Sequence, residues 1–202
     1  MSLSPSAAVD EVFALFSEHG TSDYVGEAVS QLQHATQCAA QAAAARLADA
    51  HVAGCLLHDV GHMLGLRHPG KYGRMGDCGV MAHEGVGAAW LESLGFPRAA
   101  TALVRRHVDA KRFRCARDPS YYEQLSPASR TTLGFQGGPM GAEEAAAFEA
   151  DPLAPVILQM RAFDEGAKDP AAVVPSLESY RPLLEGLVAA AAAEAAGQPA
   201  AA

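Results

Sequence analysis

Basic residues are in short supply in this chain: 15 Lys and Arg stand against 23 Asp and Glu, a formal charge of −8. That balance gives no global attraction to nucleic acid or to an anionic membrane, so neither is expected as a partner. An anionic small molecule would need a local basic pocket. Cysteine is sparse as well. Cys38, Cys55, Cys78 and Cys115 show neither zinc-type pairing nor a disulfide framework, which suits a reducing cytoplasm. No apolar run is long and clean enough to span a bilayer. The stretch MSLSPSAAVDEVFALF carries Asp10 and Glu11 and has no basic region, so no signal peptide is expected. Runs of β-branched residues are scarce, while half of the residues are hydrophobic and Ala abounds. Scarce strand formers and plentiful helix formers point to an all-α protein, and 202 residues suffice for one domain with a sizeable core.

Helices are predicted over residues 5–19, 26–48, 49–64, 81–94, 97–112, 121–135, 142–149, 154–166 and 177–193. Residues 66–79, LRHPGKYGRMGDCG, read as a Gly-rich loop. The expected organisation is a single domain over residues 1–185 followed by an Ala-rich low-complexity tail, 186–202.

Ionisable groups interrupt several apolar faces. In CLLHDVGHM, residues 55–63, His58 and His62 lie one helical turn apart. Asp59 is turned about 100° from His58, so both reach one site only at a helix–helix seam. His34 stands between Gln31 and Cys38 at one-turn steps. His83 precedes the small run GVGAAW, His107 precedes Lys111 by one turn, and the stripe Val156, Ile157, Met160 ends in Asp164 beside Arg161. Burying such groups is costly unless they are paired or hold a metal. His19, His51 and His68 are read as structural or surface residues. Four imidazoles and two carboxylates are too many for one tetrahedral zinc and suit two close metals bridged by a carboxylate. Without thiolate the set favours Fe, Mn, Mg or Zn. The donors alone leave water activation and oxygen chemistry both open.

HDVGH resembles the His-Asp signature of the HD-domain superfamily, and His34…His58-Asp59…His83…His107…Asp164 resembles its dinuclear ligand order. Four further stretches resemble the PhnZ-like, phosphonate-cleaving branch of its mixed-valent di-iron oxygenases: SDYVGEAVSQLQHATQCA (22–39), HVDAKR (107–112), LSPASRTTLGFQGGPM (125–140) and RAFDE (161–165). The resemblance implies an HD-domain helical bundle with a dinuclear metal site at its centre. His34, His58, Asp59 and Asp164 would hold one iron of an Fe(II)/Fe(III) pair. His83, His107 and the bridging Asp59 would hold the other. Tyr24 would cap an open metal position, with Glu27 beside it to meet a substrate ammonium. His62, Lys111, Ser129, Thr132 and Arg161 would surround the phosphonate, with His62 and Lys111 as catalytic candidates. The Tyr24–Glu27 segment is also compatible with a helix N-terminal turn capped by Asp23.

The implied reaction is cleavage of the carbon–phosphorus bond of 2-amino-1-hydroxyethylphosphonate by O₂, giving glycine and inorganic phosphate, downstream of an enzyme that hydroxylates the same carbon. A trimethylammonio analogue giving glycine betaine is the alternative. It would need aromatic faces or a wider pocket, and Tyr24, Tyr72 and Phe113 are candidates for the former. A metal-dependent HD phosphohydrolase is the reading from a different class. The loop between His62 and His83 is longer than the aminoethyl enzyme leads one to expect.

Overall fold

Ser4 caps the first helix, its side chain accepting the Ala7 N–H, and Pro5 pre-sets the first helical residue. This helix, α1 (Pro5–His19), ends at Gly20 and buries Val9, Val12, Leu15 and Phe16 along one stripe. Each such side chain contributes about 1.5–3 kcal/mol when fully withdrawn from water. The computed structural model describes residues 3–197. Within them α2 (Gln31–Ala44), α3 (Asp49–Leu57), α4 (Val60–Arg67), α5 (His83–Ser93) and α6 (Arg98–Arg117) follow, then α7 (Pro119–Gln124), α8 (Pro127–Phe135), α9 (Ala142–Glu149) and α10 (Ala154–Gly166). A 3₁₀ turn (Leu177–Tyr180) leads into α11 (Arg181–Gly197). Among the described residues there are no strands, only two isolated bridges, Asp23 with Ser30 and Arg74 with Val80. The all-α bundle is therefore as expected. Among the described residues no helix is long and apolar enough to cross a membrane.

The long α6 is the axis, packed on α3, α5 and α10, while α2 lies against α3 and α10. The main core joins α1–α6 with α11, whose Leu184 and Val188 are buried in it. Of the segment expected as a tail, residues 186–197 continue α11, and 198–202 lie outside the described residues. A second core gathers Ala110, Phe113, Met140, Phe148 and Ile157 under α6, α9 and α10.

Four differences from the sequence expectation matter to the site. The helix expected over 49–64 breaks at His58–Asp59, where Asp59 leaves helical geometry (φ −102°, ψ 10°). The second helix starts at Gln31, with a Ser30–Gln33 capping box, rather than at Gly26. Residues 22–30 instead form a closed loop: Tyr24 N–H donates to Val29 O and Gln31 N–H to Ser22 O. Gly26 turns this loop at φ +82°, and a Cβ there would meet Ala128 of α8 at 2.8 Å. Tyr24–Glu27 is thus a loop before α2, not its first turn. The helix expected over 121–135 is split by a Ser126 cap and Pro127. Finally α6 runs on to Arg117, which leaves Lys111 buried in mid-helix rather than at a solvated edge.

Candidate metal centre

Asp is among the best helix N-cap residues, yet Asp59, at the N-cap of α4, caps nothing. Its carboxylate is turned to the histidines. Oδ2 lies 3.2 Å from His58 Nε2 and 3.7 Å from His34 Nε2; Oδ1 lies 3.2 Å from His83 Nε2 and 3.5 Å from His107 Nε2. Asp164, from α10, sets Oδ1 3.3 Å from His34 Nε2 and 3.9 Å from His58 Nε2. The break between α3 and α4 makes this possible. In a continuous helix His58 and Asp59 would diverge by about 100°. All six of these residues are buried.

The outer ring nitrogens explain why the inner ones are bare. His34 Nδ1 is 2.9 Å from Ala167 O, His58 Nδ1 is 2.8 Å from Cys55 O, and His107 Nδ1 is 2.8 Å from Val104 O. A ring nitrogen facing a carbonyl must carry the proton, so each neutral imidazole turns a lone pair inward. His34 Nε2 and His58 Nε2 then face each other at 3.1 Å, and His83 Nε2 and His107 Nε2 at 3.0 Å. Two inward lone pairs oppose each other in the first pair; in the second, His107 turns one toward His83, whose Nδ1 has no hydrogen-bond partner. A cation between them, shared with the adjacent carboxylate oxygens, removes the conflict, and outer contacts of this kind are what orient metal-bound histidines. The residues therefore fit metal ions, one donor set on each side of Asp59, with N and O donors and no thiolate.

The carboxylates carry the charge such ions need. Before a metal binds, burial works to raise Asp59, but His58, which the carboxylate's own charge keeps protonated in that state, and His83 outweigh it and hold the carboxyl well below its ordinary range. Burial likewise opposes ionisation of Asp164, and the Arg161 guanidinium overrides it. Arg161 is committed to that task. It donates from Nη1 to Asp164 Oδ2 and from Nε to Tyr121 Oη at 2.9 Å, and its Nη2 lies 3.2 Å from Glu165 Oε1. Tyr121 and Glu165 had no signal in the spacing. They matter because they fix the guanidinium that fixes Asp164.

One cavity opens onto this cluster. Its lining includes Asp59, His83, His107 and Asp164, with His34 and His58 behind them, and all seven residues expected around a substrate: Tyr24, Glu27, His62, Lys111, Ser129, Thr132 and Arg161. Tyr24 stacks on His34 with ring centroids 3.8 Å apart, and its hydroxyl lies 3.4 Å from Asp164 Oδ1. Lys111 Nζ donates to Thr132 Oγ1 at 2.9 Å. Burial and the nearby Arg161 charge pull Lys111 down to about 8. Glu27, whose N–H donates to Tyr24 O at 3.0 Å, pairs its carboxylate with Lys168 at 2.6 Å.

The Gly-rich loop is more than a spacer. Residues 73–81 fold back on themselves, with Met75 N–H on Gly79 O and Met81 N–H on Gly73 O. Val80 N–H donates to His62 Nδ1 at 3.1 Å. A neutral His62 must then carry its proton on Nε2, which makes it a donor and excludes it from ligating a metal, although Asp59, His62 and His83 lie close enough together to be considered. The ring also stacks on His83 at 3.9 Å. Gly79 is required for this fit: its φ is +96°, and a Cβ would stand 2.5 Å from His62 Nδ1. Short, Gly-rich and poor in strand formers, the turn gave no hairpin signal in the sequence.

No family model matches the chain. Among curated proteins it is 36% identical over 182 residues to [1-hydroxy-2-(trimethylamino)ethyl]phosphonate dioxygenase (glycine-betaine-forming) of Leisingera caerulea, covering 89% of this chain and 90% of that one. It is 35% identical over 185 residues to hydroxymethylphosphonate dioxygenase of Gimesia maris, covering 92% and 90%. An uncharacterized protein of Acanthamoeba polyphaga mimivirus is 34% identical over 176 residues, covering 87% and 80%. With identity at this level along almost the whole of two named dioxygenases, the chain belongs to the PhnZ-like phosphonate dioxygenases, the oxygenase branch whose motifs its sequence carries.

Proposed function

We propose that this oxygenase cleaves the carbon–phosphorus bond of a small 1-hydroxyphosphonate with O₂ at a mixed-valent iron pair. The observation that carries the reading is a single carboxylate, Asp59, whose two oxygens face two histidine pairs at the floor of a pocket that also holds Lys111. His34, His58, Asp59 and Asp164 would hold one iron, and His83, His107 and Asp59 the other. The irons would supply O₂ activation and chelation of the substrate's hydroxyl and phosphonate oxygens. The chain's own part is to bind, orient and exclude water. Lys111, with Thr132 and Ser129 beside it, supplies the local positive charge that an acidic protein needs for a dianion. His62 donates its Nε2–H. Arg161 acts here through Asp164, to which it is bonded. Tyr24, lying over His34, and the 73–81 hairpin close the pocket.

For the finer substrate, 2-amino-1-hydroxyethylphosphonate is supported by Glu27, a carboxylate in the pocket wall able to meet an ammonium. One O₂ consumed per glycine and phosphate formed balances the atoms. The trimethylammonio analogue has less support: among the described Phe, Tyr and Trp residues, the pocket is lined by Tyr24, while Tyr72 packs on the main core and Phe113 is buried in the second. The substrate's hydroxyl implies a preceding hydroxylation of the same carbon. Incubating the iron-loaded enzyme with this compound and O₂, then assaying glycine and phosphate, tests the reading. Stoichiometric release of both is expected, and hydrolysis of phosphomonoesters without O₂ uptake would replace it with the phosphohydrolase.

Two consequences follow from the pocket geometry. Lys111 binds a dianion best when protonated, so kcat/KM should fall as pH rises through about 8, the value to which burial and Arg161 lower it. Lys111→Arg, a group that stays charged, should move that limb above the measurable range. A limb unmoved in the variant would assign it to another group. Gly79→Ala should push the hairpin off His62 and cut kcat/KM by roughly 10²-fold, with metal content unchanged. Loss of metal instead would give the hairpin a role in building the centre.

A further inference from the structure

The pocket carboxylate that would greet an ammonium already has a partner. Lys168 Nζ donates to Glu27 Oε1 at 2.6 Å, and both side chains line the cavity. The backbone carrying Lys168 is held on both sides. Before it, Ala167 is buried and its carbonyl receives His34 Nδ1. After it, Asp169 N–H donates to Gln37 Oε1 at 3.1 Å, and Gln37 Nε2 donates back to Asp169 O at 2.9 Å. Residue 168 is thereby clamped against α2, while the 22–30 loop presents Glu27 to it. Of the other pocket cations, Lys111 is bonded to Thr132, Arg161 is divided among Asp164, Tyr121 and Glu165, and Arg74 stands on the 73–81 loop.

We propose that Lys168 is a specificity-determining residue: by occupying Glu27 it sets how strongly the enzyme prefers hydroxyphosphonates that carry an ammonium over those that do not. The inference rests on the hydroxyphosphonate reading given above. An ammonium must take Glu27 over from Lys168, or share the carboxylate with it against the repulsion of two cations. A substrate without a cation leaves the pair intact and meets no net charge at that point of the wall. Lys168 therefore weakens the advantage that Glu27 would otherwise give an amine and keeps the pocket open to uncharged substituents.

The test is anaerobic calorimetric binding to the iron-loaded full chain, wild type, Lys168→Met and Lys168→Arg, with 2-amino-1-hydroxyethylphosphonate and hydroxymethylphosphonate as probes. Lys168→Met should tighten the amine by about fivefold, the scale of a partly exposed ion pair, and should not tighten hydroxymethylphosphonate. Lys168→Arg should keep the wild-type ratio, and the kcat/KM ratio from O₂ uptake should move with the binding ratio. Equal shifts for both probes, or none, would overturn the assignment of Lys168 while leaving the function standing. Failure of the wild type to bind either probe would remove the function and this inference together.

Discussion

Asp59→Asn should reduce turnover by roughly 10³-fold, the scale expected when a two-metal site loses its shared charge, and should cost the protein about half of its metal. The carboxylate presents one oxygen to His58 and His34 and the other to His83 and His107. Asparagine keeps the shape but offers one acceptor and one donor. Its NH₂ would hydrogen-bond the inward lone pairs of one histidine set, filling with protons the space a cation needs. Metal analysis beside steady-state O₂ uptake reads both effects. Thermal unfolding of the metal-free proteins separates them from misfolding. There Asp59 pairs with His58, which its charge and hydrogen bond push up to about 10 against the effect of burial. Metal-free Asp59→Asn should therefore melt lower than metal-free wild type, but still in one cooperative transition. A variant that lost activity but kept full metal would show that Asp59 does not bridge.

The second large effect concerns the glycine inside HDVGH. Gly61 brings α4 against the start of α5 so closely that a Cβ would stand 2.0 Å from the His83 carbonyl oxygen and 2.7 Å from its carbon. Both atoms are backbone, so no rotamer can yield. Gly87 continues the seam from the other helix, with a Cβ position 3.1 Å from Gly61 N and from Val60. Gly61→Ala must force the helices apart, at about 3 kcal/mol for such overpacking. For a domain of this size that lowers Tm by roughly 6–12 °C. The displaced residue is His83 itself, so the His83–His107 set should lose its metal before the His34–His58 set does. Gly87→Ala, whose clash is milder, should cost less. Equal melting temperatures for Gly61→Ala and wild type would contradict the packing.

The six-position ligand order was legible because each residue sits at helical spacing on an apolar face, and the HD-domain resemblance supplied the pairing. The structure brings all six together, and with them Tyr24, Lys111 and Thr132. Less legible was everything decided by tertiary demand. Nothing in the residues CLLHDVGHM breaks a helix at His58–Asp59, since neither proline nor a turn-forming pair stands there. The break serves a carboxylate that must face four imidazoles. The Gly26 loop hid for the opposite reason, because a single glycine near a helix start is tolerated as well as required. Lys168, in RAFDEGAKD, carried no spacing signal at all: its partner Glu27 lies 141 residues away. The long segment between His62 and His83 stood out by length, but only Val80 N–H against His62 Nδ1 shows what that length does.

The central claim is a pair of irons bridged by Asp59 beside a hydroxyphosphonate pocket. Mössbauer and EPR spectroscopy of the iron-loaded protein, before and after anaerobic addition of 2-amino-1-hydroxyethylphosphonate, tests it most directly. About two irons per chain, coupled in a mixed-valent pair whose signal shifts when the phosphonate binds, are the result predicted here. Protein that takes up no iron, yet hydrolyses phosphomonoesters with Mg²⁺ or Mn²⁺, would contradict it.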